Sequence, residues 1–364
     1  MSIEDKNKAK FPNLKSTLTI PSIPKKIEQH LSKFINEEIR AYSLKKNSPL
    51  LASCLKDFVL RKGKRIRPIL FIIGYLGFSK KEARNLYTAA VSFELLHDFF
   101  LIHDDIIDKS ELRRGKPSVH TLLNSHLSKF PSRKFKGEDL AIITGDVLYA
   151  SAVKAFMSIK ENPSRKEKAL NIFVNTAVYT ATGEFIELEK SIEPLNKLSK
   201  KDIYSIYDYK TARYTFSSPL TCGAVLAGAK EKEIRKLYRF GISLGRAFQI
   251  KDDIIGIFSR EKETGKSALA DIQQAKRTLL IWHTCDNKGN KNRLSIKKIF
   301  FKKRARRQDL EKVQEIIRKS GALDYSLKEI KLLCKKAESI LSSLEMKDKY
   351  KVSLKEFLRK ILKV

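Results

Sequence analysis

The sequence predicts an all-α protein, and three observations carry that expectation. Apolar residues recur at three- and four-residue steps, at Ile27, Leu31, Phe34, Ile35, Ile39 and Tyr42 and again at Leu354, Phe357, Leu358, Ile361 and Leu362, the spacing of one helix face. Alternating β-branched segments closed by hairpin turn pairs are missing from the sequence. Only 15 Gly and 10 Pro punctuate the 364 residues, so long helices need few interruptions. A hydrophobic content of 42 % allows a sizeable core and excludes a wholly disordered chain.

Taken in order, residues 1–21 read as a polar tail ahead of one domain over 22–364, since no long repeat and no Pro- or Ser-rich linker divides the rest. The opening MSIEDKNKAKFPNLK has no apolar h-region and carries Glu4 and Asp5, unlike a secretory signal or an acid-poor transit peptide. The cytoplasm is therefore the expected location. The longest stretch without a charge, 214–229, contains Pro219 and falls short of the ~20 apolar residues of a membrane span. Cys54, Cys222, Cys285 and Cys334 lack CxxC or Cys/His spacing, so neither a zinc site nor a dense disulfide framework is expected. Segment 127–137, LSKFPSRKFKG, reads as a basic loop between helices. The net charge of +33 attracts anions of every kind. Its densest block, 288–307, sets ten basic residues among twenty, interrupted by Ile299, Phe300 and Phe301. Cations with an apolar wedge suit a membrane surface or RNA, although such a run is more often a solvated connection between helices.

Chemistry concentrates in two apolar segments that carry carboxylates, FELLHDFFLIHDDIID ending at Asp108 and GRAFQIKDDIIGIF ending at Phe258. Burying such charges is costly unless something neutralises them. On a helix Asp104 and Asp108 share a face, separated by about 6 Å of rise, with Asp105 about 100° around. Hard oxygen donors in this number suit Mg²⁺, which is commonly shared between one or two carboxylates and a substrate phosphate. Asp252 and Asp253 lie in an equally apolar setting, and two such clusters facing each other across a helical cavity would hold metals between them. A diphosphate held there also needs uncancelled cations. The candidates are Lys64, Arg65 and Arg67, then Arg113 and Arg114, then Lys210 with Thr211, and finally Lys266 and Lys276. Each alone would read as a surface cation, and His97 alone as a core histidine; their joint order is what points to a site.

That order resembles the trans-isoprenyl diphosphate synthase family, the polyprenyl, farnesyl and geranylgeranyl diphosphate synthases. The similarity runs from about residue 63 to 278 and comprises GKRIRP (63–68), ELLHDFFLIHDDIID (94–108), RRGKPSVH (113–120), Gly145-Asp146, KTA (210–212), FQIKDD (248–253), TGK (264–266) and DIQQAKRT (271–278). The resemblance implies a single-domain helical bundle around a central cavity and a homodimer. It implies an isopentenyl diphosphate site at Lys64, Arg67, His97 and Arg114. The allylic diphosphate would be held through Mg²⁺ on Asp104, Asp105, Asp108 and Asp252, and directly by Arg113, Lys210, Thr211, Gln249, Lys266 and Lys276. Asp104, Asp108, Arg113, Lys210, Asp252 and Lys266 would carry catalysis. Phe99 and Phe100, just over one turn below Asp104, resemble the bulky floor that stops elongation in short-chain members.

Four departures qualify the likeness. Gly256 stands where many members have a third Asp, Gly183-Glu184-Phe185-Ile186-Glu187 replaces GQxxD, segment 127–137 matches no motif, and Ala275 replaces the usual Gly before Lys276. The expected function is condensation of isopentenyl diphosphate with dimethylallyl or geranyl diphosphate to farnesyl diphosphate. The alternatives are geranylgeranyl diphosphate synthesis, a non-catalytic partner subunit, or an anionic-surface binder in contact with a membrane; nucleic acid is not the expected partner. A terpene cyclase would not need the cations Lys64, Arg67 and Arg114.

Overall fold

The computed structural model describes residues 22–258, 269–286 and 290–363. Helix α1 (Ser22–Ala41) buries Ile23, Ile27, Leu31, Phe34, Ile35 and Ile39 along one stripe, while Tyr42 falls just past its end and is exposed. A single turn, α2 (Leu44–Asn47), leads to α3 (Pro49–Val59), where Pro49 sits at a position whose N–H has no intrahelical partner. Helices α4 (Ile66–Phe78) and α5 (Leu86–Ile107) are apolar on nearly every side and run through the centre.

One hairpin corrects the all-helical expectation locally. Leu112–Arg113 pairs antiparallel with Lys116–Pro117 around Arg114 (φ 56°) and Gly115 (φ 74°). Positive φ at both central residues is the I′ geometry, which glycine adopts freely and Arg114 does not. Arg-Gly is not the usual Asn-Gly signal, so the turn was not legible in the sequence. It sets Arg113 and Arg114 side by side after the aspartate helix.

The chain continues through α6 (Val119–Leu127), α7 (Gly137–Met157) and α8 (Pro163–Ile192). The basic stretch 128–136 is a loop, as expected. Helix α9 (Lys200–Tyr207) runs without a break into a π-helical segment (Asp208–Ser217) and then α10 (Ser218–Leu226). Pro219 has no N–H for the preceding turn, and the widened turns come directly before it. Then follow α11 (Glu231–Phe258), α12 (Ala270–Gln273), α13 (Leu279–Asp286), α14 (Asn290–Phe300), α15 (Arg307–Lys319), α16 (Ala322–Ser342) and α17 (Asp348–Leu362).

Four phenylalanines fasten the bundle around α5. Phe93 packs edge-on to Phe173 of α8 at 5.1 Å, Phe173 stacks on Phe156 of α7 at 4.8 Å, and Phe71 of α4 lies 5.4 Å from Phe93. Each ring contributes roughly 1.5–3 kcal/mol by burial, and the edge-on pairs add to that. Among the described residues α7 alone is long and apolar enough to cross a membrane. It is also a core helix here, with Ala141, Leu148, Ala152, Ala155 and Phe156 buried, while Ile142 and Ile143 face outward at 42 % and 54 % exposure. All four cysteines are buried thiols.

Candidate active site

Asp104 and Asp108 project from the last turn of α5, and Glu184 reaches the same point from α8. One carboxylate oxygen of each lies within 4.8 Å of the other two, a set of hard donors that fits a divalent cation of the Mg²⁺ class. Lys210, on the π-helical segment, joins them: its Nζ lies 2.6 Å from Glu184 Oε2, 3.7 Å from Asp104 Oδ1 and against Glu187. A Cβ on Gly183 would fall 2.6 Å from the Lys210 backbone nitrogen, so α8 approaches this closely only because residue 183 has no side chain. Burial and Asp104 push the Asp108 carboxyl above its ordinary range, with Lys276 and Lys210 pulling it back. Burial also raises Glu184, opposed by Lys210. Burial works against the charge on Lys210, but Glu187, Asp104 and Glu184 hold its ammonium well above the usual value. Lys276 is held up in the same way by Asp271, 3.1 Å away.

Asp105 corrects the expected ligand set. It is buried and accepts from Arg113 Nε at 2.7 Å, while Arg113 Nη2 donates to Asp104 Oδ2 at 2.9 Å. One residue is about 100° of helix rotation, which sets Asp104 and Asp108 on the cavity side and Asp105 on the protein side. Arg113, expected against a diphosphate, is buried as a clamp on both aspartates.

Asp252 is not gathered with Asp104, Asp108 and Glu184. It is exposed and lines a cavity of about 70 Å³ together with Lys64, Phe248 and Ile361. The residue that turns inward is Asp253, which accepts from the Tyr207 hydroxyl and from Gln249 Nε2 at 2.9 Å, and which burial pushes up to about 8. Thr211 Oγ1 donates to Gln249 Oε1 at 2.6 Å, so these two expected ligand-binding residues hold each other. Gly256 leaves room for Asp271: a Cβ there would fall on Asp271 Oδ2 and make that carboxylate move. Lys266 lies outside the described residues.

About two turns back along the same face of α5 from Asp104, the structure gathers Arg67, His97 and Arg114, three of the four residues expected at the second diphosphate. The Arg67 guanidinium stacks 4.1 Å over the Tyr214 ring and donates to Thr215 Oγ1 at 2.8 Å, and the Tyr214 hydroxyl meets His97 Nδ1 at 2.6 Å. Burial, Arg67 and Arg114 hold His97 well below its ordinary value, so the ring is neutral. Arg114 lies 3.3 Å from Asp98 and 3.4 Å from Glu94, which also takes the buried Arg65. Lys64, the fourth, lines the 70 Å³ cavity with Asp252. Phe100 packs edge-on to Tyr214 at 5.3 Å, and Phe99 contacts Tyr149 of α7 at 5.3 Å and His103 at 4.6 Å.

Several residues of this site went unassigned in the sequence. Glu184 and Glu187 were visible only as departures from GQxxD. Tyr214 is one tyrosine inside an apolar run and carried no signal. Asp98 and Glu94 could have been found, because a carboxylate inside so apolar a helix needs a buried cation. Asp108 also lines a cavity of about 740 Å³, together with Ile107, Leu188, Gln273, Lys303 and Arg304.

Geranylgeranyl diphosphate synthase of Sulfolobus acidocaldarius is 32 % identical over 294 residues, covering 80 % of this chain and 83 % of that one. A short chain isoprenyl diphosphate synthase of Methanocaldococcus jannaschii is 29 % identical over 293 residues, with the same coverage. Among solved structures, geranylgeranyl pyrophosphate synthase from Corynebacterium glutamicum, complexed with isoprenyl diphosphate and magnesium, superposes with a TM-score of 0.85 at 26 % identity, over 95 % of this chain and 99 % of that one. The polyprenyl synthetase family model matches residues 48–317, a span that includes both residue groups of the site and every motif from 63 to 278, and the chain therefore belongs to the polyprenyl synthetase family.

Proposed function

We propose that the protein is a Mg²⁺-dependent short-chain prenyltransferase that adds isopentenyl diphosphate to allylic diphosphates and releases geranylgeranyl diphosphate. The observation that carries the reading is the pairing, along one face of α5, of the carboxylate cluster Asp104–Asp108–Glu184 with the cation group Arg67–His97–Arg114 about two turns away. Such a pairing accommodates two anionic substrates head to tail. Asp104, Asp108 and Glu184 would hold the metal, which when bound supplies positive charge against the departing diphosphate. Arg113 fixes the orientation of Asp104, and Lys210 and Lys276 place further positive charge at the same point. As the allylic C–O bond breaks, the electron pair leaves with the diphosphate. The cation left behind faces Phe99, Phe100 and Tyr214, whose rings exclude water, until the alkene of isopentenyl diphosphate attacks to form the new C–C bond and the released diphosphate takes up the proton that is lost. Arg67 and Arg114 neutralise the second diphosphate.

The twenty-carbon product is supported by the names of the relatives. A farnesyl product, the first expectation from the sequence, is favoured by one specific feature, the Phe99–Phe100 pair below Asp104. Incubation with Mg²⁺, isopentenyl diphosphate and each allylic diphosphate, followed by mass analysis of dephosphorylated products, separates the two. Accumulation of farnesyl product, lengthened by Phe100→Ala, would replace the geranylgeranyl reading; no condensation with any starter would overturn prenyl transfer itself. Homodimerisation through the outward Ile142 and Ile143 face of α7, and a reducing cytoplasmic location suited to four buried thiols, complete the proposal.

A further inference from the structure

The basic stretch 291–307 has no part in the chemistry above, yet its Lys303 and Arg304 line a cavity together with Asp108 of the site. Helix α14 buries Ile296 and Ile299 inward. Its outer face, at helical spacing, is Leu294, Lys297, Lys298 and Phe301, with Leu294 50 % and Phe301 73 % exposed. Exposed Lys302, Lys303, Arg304, Arg306 and Arg307 follow. Asp309 neutralises Lys302 and Glu311 meets Arg307, but among the described residues Lys297, Lys298, Lys303 and Arg304 have no carboxylate within ion-pair distance.

Two attachments fix where this surface lies. Gln273 Nε2 donates to Lys303 O at 3.1 Å and its Oε1 accepts from Ala305 N at 2.8 Å, tying the basic turn to α12. Arg277 donates to the carbonyls of Lys190 (3.1 Å), Ser191 (2.6 Å) and Glu193 (3.0 Å) while lying 5.6 Å from the Phe300 ring, which docks α14 on the C-terminal end of α8. There α8 exposes Leu188 and, at 82 %, Ile192. Leu188, Ile107, Lys303 and Arg304 line the same 740 Å³ cavity as Asp108.

We infer that this surface, Leu294, Phe301 and Ile192 set among Lys297, Lys298, Lys303 and Arg304, docks the protein on an anionic lipid bilayer with the mouth of the active site facing the membrane. A solvated connection between helices accounts for the lysines but not for large apolar side chains standing out among them. Cations drawn to anionic head groups, with apolar tips entering the acyl boundary, account for both. The orientation rests on the prenyl-transfer reading: the product has an anionic head and a long hydrocarbon tail, and leaves at the edge where lipid would receive it.

The test is flotation of the full chain with vesicles of phosphatidylcholine alone or mixed with phosphatidylglycerol, with prenyl transfer to a short allylic starter assayed in solution alongside. Retention is expected on the anionic vesicles only, falling with added salt, and the variant K297Q/K298Q/F301S should lose it by about tenfold or more with unchanged turnover. Equal retention of that variant, or none of the wild type, would overturn the surface. Tighter capture by single-stranded RNA at the same ionic strength would overturn the lipid as its partner. Competition by inorganic diphosphate that abolishes retention of wild type and variant alike would assign the binding to the active site instead. Retention without condensation would leave this surface standing and sink the substrate reading; condensation without retention would do the reverse.

Discussion

Glu184 is the acid that the family's usual glutamine would not supply. Because its carboxylate shares one point with Asp104 and Asp108, Glu184→Gln should weaken Mg²⁺ or Mn²⁺ binding by about tenfold or more in a calorimetric titration without substrate. Unchanged affinity would remove Glu184 from the ligand set. Asp98 makes a different prediction. Burial first, and the neighbouring Glu94, push its carboxyl up to about 8 against the pull of Arg114. An unfolded aspartate loses its proton near pH 4, so between about pH 4 and 8 the folded form binds the extra proton, and stability falls as pH rises through that window, at most about 1.4 kcal/mol per unit. Asp98→Asn should flatten that part of the thermal midpoint against pH; an unchanged slope would show that the loss arises elsewhere. Asp105 and Asp104 illustrate what the sequence could not decide at this scale. Neighbours on a helix differ by a rotation, and which one faces the cavity depends on the hairpin that delivers Arg113, a turn without an Asn-Gly signature.

At the scale of elements, the decisive contact is α8 against the π-helical segment. Gly183→Ala should force the two backbones apart and misplace Lys210 relative to Glu184 and Glu187, with turnover falling by about hundredfold while the far-UV helical signal is retained. Full activity would show that the helices can separate without cost. The long helices were legible because α1 and α17 keep their apolar stripes in register with 3.6 residues per turn. The π-helical segment was not, since the buried residues Ala212 and Tyr214–Ser217 make an apolar run that fits either winding. The second aspartate motif was legible only in outline. Its inward member is Asp253, fixed by Tyr207, a residue 46 positions away that no local pattern could nominate.

For the whole molecule, the outward face of α7 is the test of assembly. Ile142 and Ile143 stand exposed side by side on a helix whose other face is in the core, and exposed apolar patches often mark an interaction surface. On the proposed homodimer, Ile143→Glu should lower the mass from dimer to monomer in analytical ultracentrifugation; an unchanged dimer mass would move the interface elsewhere, and a monomeric wild type would overturn the dimer itself. Residues 63–278 announced themselves by ordered motifs, whereas the position of Lys303 and Arg304 beside Asp108 could not be read, because it depends on Gln273 and Arg277 holding a distant helix in place. That bracket has a thermodynamic consequence. Arg277 follows Lys276 directly and touches both the end of α8 and the ring of Phe300, so one side chain joins the neighbour of a pocket lysine to the cationic helix. Were a ligand at one end to shift that contact, linkage would require the other end to feel it by the same factor: a filled pocket would alter the hold on a surface as much as the surface alters the affinity of the pocket.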